Sequence, residues 1–252
     1  MIGNSHGDRD EEKHQLRILL EHDVGGLVVR PCASSTIIAE IMHYDVPVVA
    51  VESPYPSDVD VARVDDAGGM QALTALLVEH GHRHIGLING PINSAQTPRR
   101  QAGYRAGLEA AGIPFDATLV VNTNDYTPKD SMQKVHELLN HSEPPRALLA
   151  ASAALAQGML QALEQRNLRV PDDIEVAAYN DGYILPKGVS TATSEPVSRV
   201  GQEAAKMLIE RIEGYTGPPR EFVLPYQLTV GTPINRVPDT SSVSRHMGET
   251  TD

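Results

Sequence analysis

Short apolar runs alternate along this chain with stretches whose apolar residues recur every three or four positions. The clearest case begins after Pro144 and Pro145. Residues 146–152, RALLAAS, form a brief apolar run with a polar stop, which predicts a buried strand. Residues 153–166 carry Leu155, Met159, Leu160 and Leu163 about one turn apart, which predicts an amphipathic helix. Asn167 tolerates the left-handed conformation that ends a helix, and Pro171 bars its continuation. Residues 174–179 give a second apolar run. Strand, helix and strand in this order predict a parallel βαβ unit. Ligands bind at the carboxyl ends of such strands, so Ser152, Asn180 and Asp181 belong at the rim of a cleft.

The same rhythm runs through the rest. Residues 1–4 read as the end of a strand and 8–21 as a helix. Residues 24–29 read as a strand, and 46–51 are a continuous apolar run, as expected for a parallel strand covered on both faces. Ser34 or Ser35 is expected to cap a helix through residue 43. Residues 59–64 are a strand or crossover, and Asp65 and Asp66 sit where acidic residues favour a helix start. Strands follow at 84–88 and 119–121, and helices at 99–111 and 129–139. A loop at 182–188 and a short extended piece at 189–193 precede a helix opened by Pro196. Residues 221–230 are extended but interrupted by Pro225, and the polar residues 236–252 read as a disordered tail. Roughly eight strands alternating with six or seven helices predict a doubly wound α/β protein.

Composition narrows the function. The 252 residues are 40% hydrophobic, enough for one large domain or two lobes. A net charge of −12 argues against a nucleic-acid surface on this polypeptide, because phosphate contacts need clustered Lys and Arg. The single cysteine, Cys32, excludes an internal disulfide and reads as a buried or rim thiol without an activating partner. His80, His82 and His84 read as a polar turn rather than a metal site, since no carboxylate or cysteine is grouped with them in sequence. The polar start is neither a secretion signal nor a membrane span, so the expected location is cytoplasmic.

Several strands end on polar residues. Glu52 follows VPVVAV, Ser152 follows ALLAA and Asn180 follows EVAAY; Arg100 and Tyr126 lie just beyond two other strands. An acceptor, a cation, an aromatic plate and neutral donors suit a polar small molecule. Hydrolysis would need a paired acid and base or an activated nucleophile, and none is evident.

The segments VDDAGG at 64–69, GHRHI at 81–85, Gly90-Pro91, RQAGY at 100–104, NDY at 124–126 and VPDDI at 170–174 resemble the effector-binding core of LacI/GalR transcription regulators. The similarity covers nearly all of residues 3–235. It implies a two-lobed, type I periplasmic-binding-protein-like fold, with parallel sheets flanked by helices and an effector between the lobes. One lobe would comprise residues 1–63 and 196–224, the other 64–195 and 225–236, with crossovers near Val64, Glu195 and Pro225. By the same resemblance Glu52, Arg100, Tyr126, Ser152 and Asn180 bind the effector, and Asp65 marks a crossover. Ser152, Ala153 and Asn180 depart from the family's usual Asn-Asp pair and aspartate, which puts its usual sugar specificity in doubt. No cofactor, metal or catalytic residue is implied. The partners implied are a sugar or similar metabolite, a second copy of the chain, and operator DNA through a headpiece not present in this sequence. The amino-terminal lobe would be truncated, with an exposed sheet edge, and this polypeptide alone would fold poorly compared with a longer chain. A transport-binding protein of the same fold, or an enzyme on a similar one, are the readings from other classes.

Overall fold

Parallel pairing of short, β-branched and alanine-rich strands organises the chain into two sheets. The computed structural model describes residues 1–6, 8–32, 36–52, 58–180, 189–194 and 198–230, leaving aside the side chains of residues 180 and 191–194. In chain order the elements are α1 (Arg9–Glu21), β1 (Leu27–Val29), α2 (Ile37–Ile41), β2 (Val48–Val51), β3 (Asp60–Val64), α3 (Asp66–Glu79) and β4 (Ile85–Asn89). Then come α4 (Gln96–Ala110), β5 (Val120–Asn122), α5 (Pro128–Leu139), β6 (Ala147–Ala150), α6 (Ala153–Gln165) and β7 (Glu175–Asn180). Last are β8 (Ser190–Ser194), α7 (Ser198–Ile212), β9 (Glu221–Leu224) and β10 (Tyr226–Thr229).

The first sheet has the order β1-β2-β3-β9 and is parallel throughout. Leu16, Leu27, Ile37, Ile41, Val48 and Val61 form a small core on its α1 and α2 side. The other face takes α7. The second sheet has the order β10-β8-β7-β6-β4-β5, and β10 alone runs antiparallel. The helices α3 to α6 flank it, α3 packing on α4 and α5 on α6. These two close pairings rest on glycine. A Cβ on Gly103 would lie 2.2 Å from the Ala67 carbonyl, and one on Gly158 would lie 2.0 Å from that of Pro128.

The βαβ unit expected around residue 150 is present as β6, α6 and β7, with Ala150 paired to Ala178. Its helix is capped by Ser152, whose hydroxyl accepts the Leu155 N–H at 3.3 Å. Other elements differ from expectation. Residues 1–4 form no strand. The helix α2 is short and starts after Thr36. The extended stretch around Pro225 is two strands in different sheets, so the chain changes sheet between Leu224 and Tyr226. The expected cap at Ser34 or Ser35, the loop at 182–188, the helix start at Pro196, the crossover at Glu195 and the tail at 236–252 lie outside the described residues.

One buried charge ties the first sheet together. Asp60, fully buried at the start of β3, receives Arg211 from α7 and Arg220 from the approach to β9. Among the described residues β1 pairs only with β2. A cavity of about 490 Å³ lies along it, lined in part by Met1, Ile2, Leu16, Leu27, Val29 and Leu208.

Candidate functional site

Parallel strands that end together leave a depression beyond their carboxyl ends. Here the ends of β1 and β2 face the loops after β4 and β5 across a cleft of about 1010 Å³. Its lining includes Arg30, Cys32 and Glu52 on one side and Ser94, Gln96 and Tyr126 on the other.

Glu52 stands directly after β2 with a positive φ of 54°, a region that non-glycine residues seldom adopt. It is buried. Its Oε1 accepts the Val64 N–H at 2.8 Å, and its Oε2 accepts Nη2 of Arg99 at 3.2 Å. Burial, and then the nearby Asp66 carboxylate, push the Glu52 carboxyl above its ordinary value. The Val64 N–H and Arg99 oppose that rise.

Tyr126 is braced as a plate. Its hydroxyl donates to Ser94 Oγ at 2.7 Å, and Ser94 in turn donates to Gln96 Oε1 at 2.7 Å. Gly90 makes room for the ring, since a Cβ there would lie 2.3 Å from the Tyr126 hydroxyl oxygen.

The other sequence-predicted residues are committed within the protein. Arg100 is buried; its Nε donates to Asp66 Oδ1 at 2.8 Å and its Nη1 to the Ala151 carbonyl at 2.6 Å. Its guanidinium lies 4.8 Å from the centre of the Tyr179 ring. Burial pushes the Tyr179 phenol up, and its hydroxyl has no hydrogen-bond partner among the described residues. Ser152 is buried and caps α6. Asp65 caps α3 by accepting the Gly68 N–H at 3.0 Å, and its own N–H donates to the Leu224 carbonyl at 2.9 Å. Asn180 ends β7, and its side chain lies outside the described residues. The structure thus brings Glu52 and Tyr126 to one cleft, while neither Arg100 nor Ser152 is among its lining residues.

Sequence reading missed Arg99 and Asp66. Nη2 of Arg99 donates to both Glu52 Oε2 and Asp66 Oδ2, each at 3.2 Å. The doubled Arg99-Arg100 and Asp65-Asp66 were the available signals, but spacing alone does not tell which member of an adjacent pair turns inward.

Two residues left outside the expected site are also placed. His80 Nδ1 and His82 Nε2 donate to the buried Glu175 carboxylate at 2.6 and 3.0 Å. The carboxylate that the sequence did not group with them arrives from β7, at the opposite end of the sheet from Asn180. Among the described residues no cluster of three or more His, Cys, Asp or Glu could hold a metal ion. Cys32 Sγ lies 3.4 Å from Ser5 Oγ, and burial pushes the thiol up, which disfavours the nucleophilic thiolate. Among the described residues no helix is long and apolar enough to cross a membrane.

Comparison with known proteins agrees with this architecture. Residues 74–232 match the family described as a periplasmic binding protein-like domain. The HTH-type transcriptional regulator CelR of Thermobifida fusca is 34% identical over 174 residues, covering 68% of this chain and 51% of the relative. The HTH-type transcriptional repressor PurR of Photorhabdus laumondii is 32% identical over 222 residues, covering 84% of this chain and 64% of the relative. The chain therefore spans about half to two thirds of the length of these relatives. A solved complex of the regulator CelR with cellobiose superposes with a TM-score of 0.80 at 28% identity, over 89% of this chain and 70% of that one. In sequence and in fold, this chain belongs to the periplasmic-binding-protein-like domain family as it occurs in LacI-type transcriptional regulators.

Proposed function

We propose that this chain is the effector-sensing part of a LacI-type regulator and takes a sugar or other small polar metabolite between its two lobes. The observation that carries this reading is the pairing of Glu52 and Tyr126 across one cleft. A buried, positioned carboxylate accepts hydrogen bonds from hydroxyls, and a braced ring offers a face to a sugar ring. The cellobiose complex of a similar regulator supports the sugar class.

In this reading Glu52 and Tyr126 touch the ligand. Arg100 and Ser152 shape the floor from within, Asn180 completes the rim, and Asp65 fixes the crossover beside Leu224. The lobes comprise residues 1–63 with 196–224 and residues 64–195 with 225–236. The whole protein acts in the cytoplasm as a homodimer, and its ligand changes how a DNA-binding headpiece sits on an operator. Its role is regulatory rather than catalytic.

Thermal-shift and calorimetric titration with cellobiose, ribose and a panel of hexoses test the reading. At least one sugar should bind. Glu52→Gln should then weaken that sugar by about 1.5–3 kcal/mol, the range for a hydrogen bond to a charged group. Tyr126→Ala should weaken ring-bearing ligands most. A binding sugar whose affinity is unchanged by both substitutions would place the site elsewhere, and a panel without a binder would remove sugars as the class.

A further inference from the structure

The two lobes are joined by more than the covalent crossovers. Glu52 belongs to the first sheet, at the end of β2. Asp66 opens α3, which packs on β7, β8 and β10 of the second sheet, and Arg99 lies on α4, packed against α3 and β4. We propose that Arg99 is an interlobe latch, a positioning residue that sets the angle between the lobes by binding Glu52 and Asp66 at once.

Both jaws of the latch are fixed. In the first sheet, the Val64 N–H at the end of β3 holds the second oxygen of Glu52, and the backbone of Glu52 sits in the left-handed region. On the second lobe, Asp66 is fully buried and its other oxygen receives Arg100 Nε. Arg100 continues to the Ala151 carbonyl, at the end of β6. Two carboxylates and two guanidiniums thus alternate from the rim of β2 to the rim of β6, with their charges balanced. Only Arg99 spans the lobes in this series. One amino group of its guanidinium, Nη2, reaches both carboxylates, and a lysine stem, shorter and more flexible, would hold its ammonium there less firmly. The latch also aims Glu52, because Arg99 takes the oxygen that the Val64 N–H leaves.

The test is made on the ligand-free full chain, so its outcome does not depend on whether the cleft binds a metabolite. Spin labels on His14→Cys in α1 and Glu109→Cys in α4, both exposed helical positions, report the interlobe distance in a Cys32→Ser background. In the parent this distribution should be narrow. Arg99→Gln and Glu52→Gln should each broaden it and move it outward, and the double variant should be no broader than either single one. Arg99→Lys, which keeps the charge, should give an intermediate width, and it carries the test if Arg99→Gln does not fold by far-UV circular dichroism. An unchanged distribution in a folded Arg99 variant would overturn the latch. So would broadening by Arg99→Gln without broadening by Glu52→Gln, because the partner would then not be Glu52.

Discussion

Asp60 offers the sharpest energetic test of the fold that carries the cleft. Its Oδ1 accepts Arg211 Nη2 at 2.7 Å and the Arg220 backbone N–H at 2.8 Å; its Oδ2 accepts Arg220 Nη2 at 2.8 Å and Arg211 Nε at 3.1 Å. Burial works against the charge, yet these donors bring the carboxyl from 3.8 down to about 2. At 1.36 kcal/mol per tenfold change in acidity, that corresponds to roughly 2 kcal/mol. The side chains of Arg211 and Arg220 are 18% and 28% exposed. Solvent screening therefore reduces the figure to about 1–2 kcal/mol. Asp60→Asn should cost about that much near pH 7, or somewhat more because two guanidiniums are left facing each other. The chain has no tryptophan, so urea unfolding is best followed by circular dichroism. Because the folded value is depressed, this stabilisation is complete above the unfolded value of 3.8 and is lost as the pH falls through about 2. The gap between parent and variant should thus be constant from about pH 7 to 5 and shrink below about pH 4. A gap under about 0.5 kcal/mol at neutral pH, or one that does not shrink in acid, would refute the assignment.

The clasp around Glu175 has the same sign. Burial alone would raise this carboxyl, but hydrogen bonds from His82 and His80 hold it below its ordinary 4.5. Its contribution is present above 4.5 and fades as the pH falls through the lowered value, so Glu175→Gln should cost about 1.5–3 kcal/mol near neutrality and less in acid, measured by the same unfolding series. Two glycines should respond in opposite directions. Gly158→Ala drives a methyl into the Pro128 backbone and should destabilise by about 1–3 kcal/mol, whereas Gly201→Ala, exposed on α7 with nothing within 4 Å, should stabilise by up to about 1 kcal/mol. Equal melting temperatures for the two glycine variants would contradict the close packing of α5 on α6.

Local pattern was enough for most of the architecture. Apolar runs bounded by proline or polar stops located the strands, and three-to-four spacing located the helices, because each signal depends only on which face of an element is covered. The end of β2 at Glu52 and the polar stop after β6 at Ser152 were legible for the same reason. Sheet membership was not. Residues 221–230 look like one interrupted strand, but Leu224 pairs with Val64 while Tyr226 pairs with Ser194 in the other sheet. Nothing local distinguishes a kink from a change of sheet. The direction of charged side chains was likewise a tertiary matter. Arg99 and Arg100 are adjacent and chemically alike, yet α4 turns Arg99 toward Glu52 and Arg100 toward the Ala151 carbonyl, since neighbouring helical positions point about 100° apart. The three histidines looked solvated until β7 brought Glu175 beneath two of them, from more than ninety residues away. Local spacing specifies which segments are strands and helices and which polar residues end them. Which of those residues meet is settled by sheet order and packing, because the partners lie far apart in the chain and local spacing does not encode them.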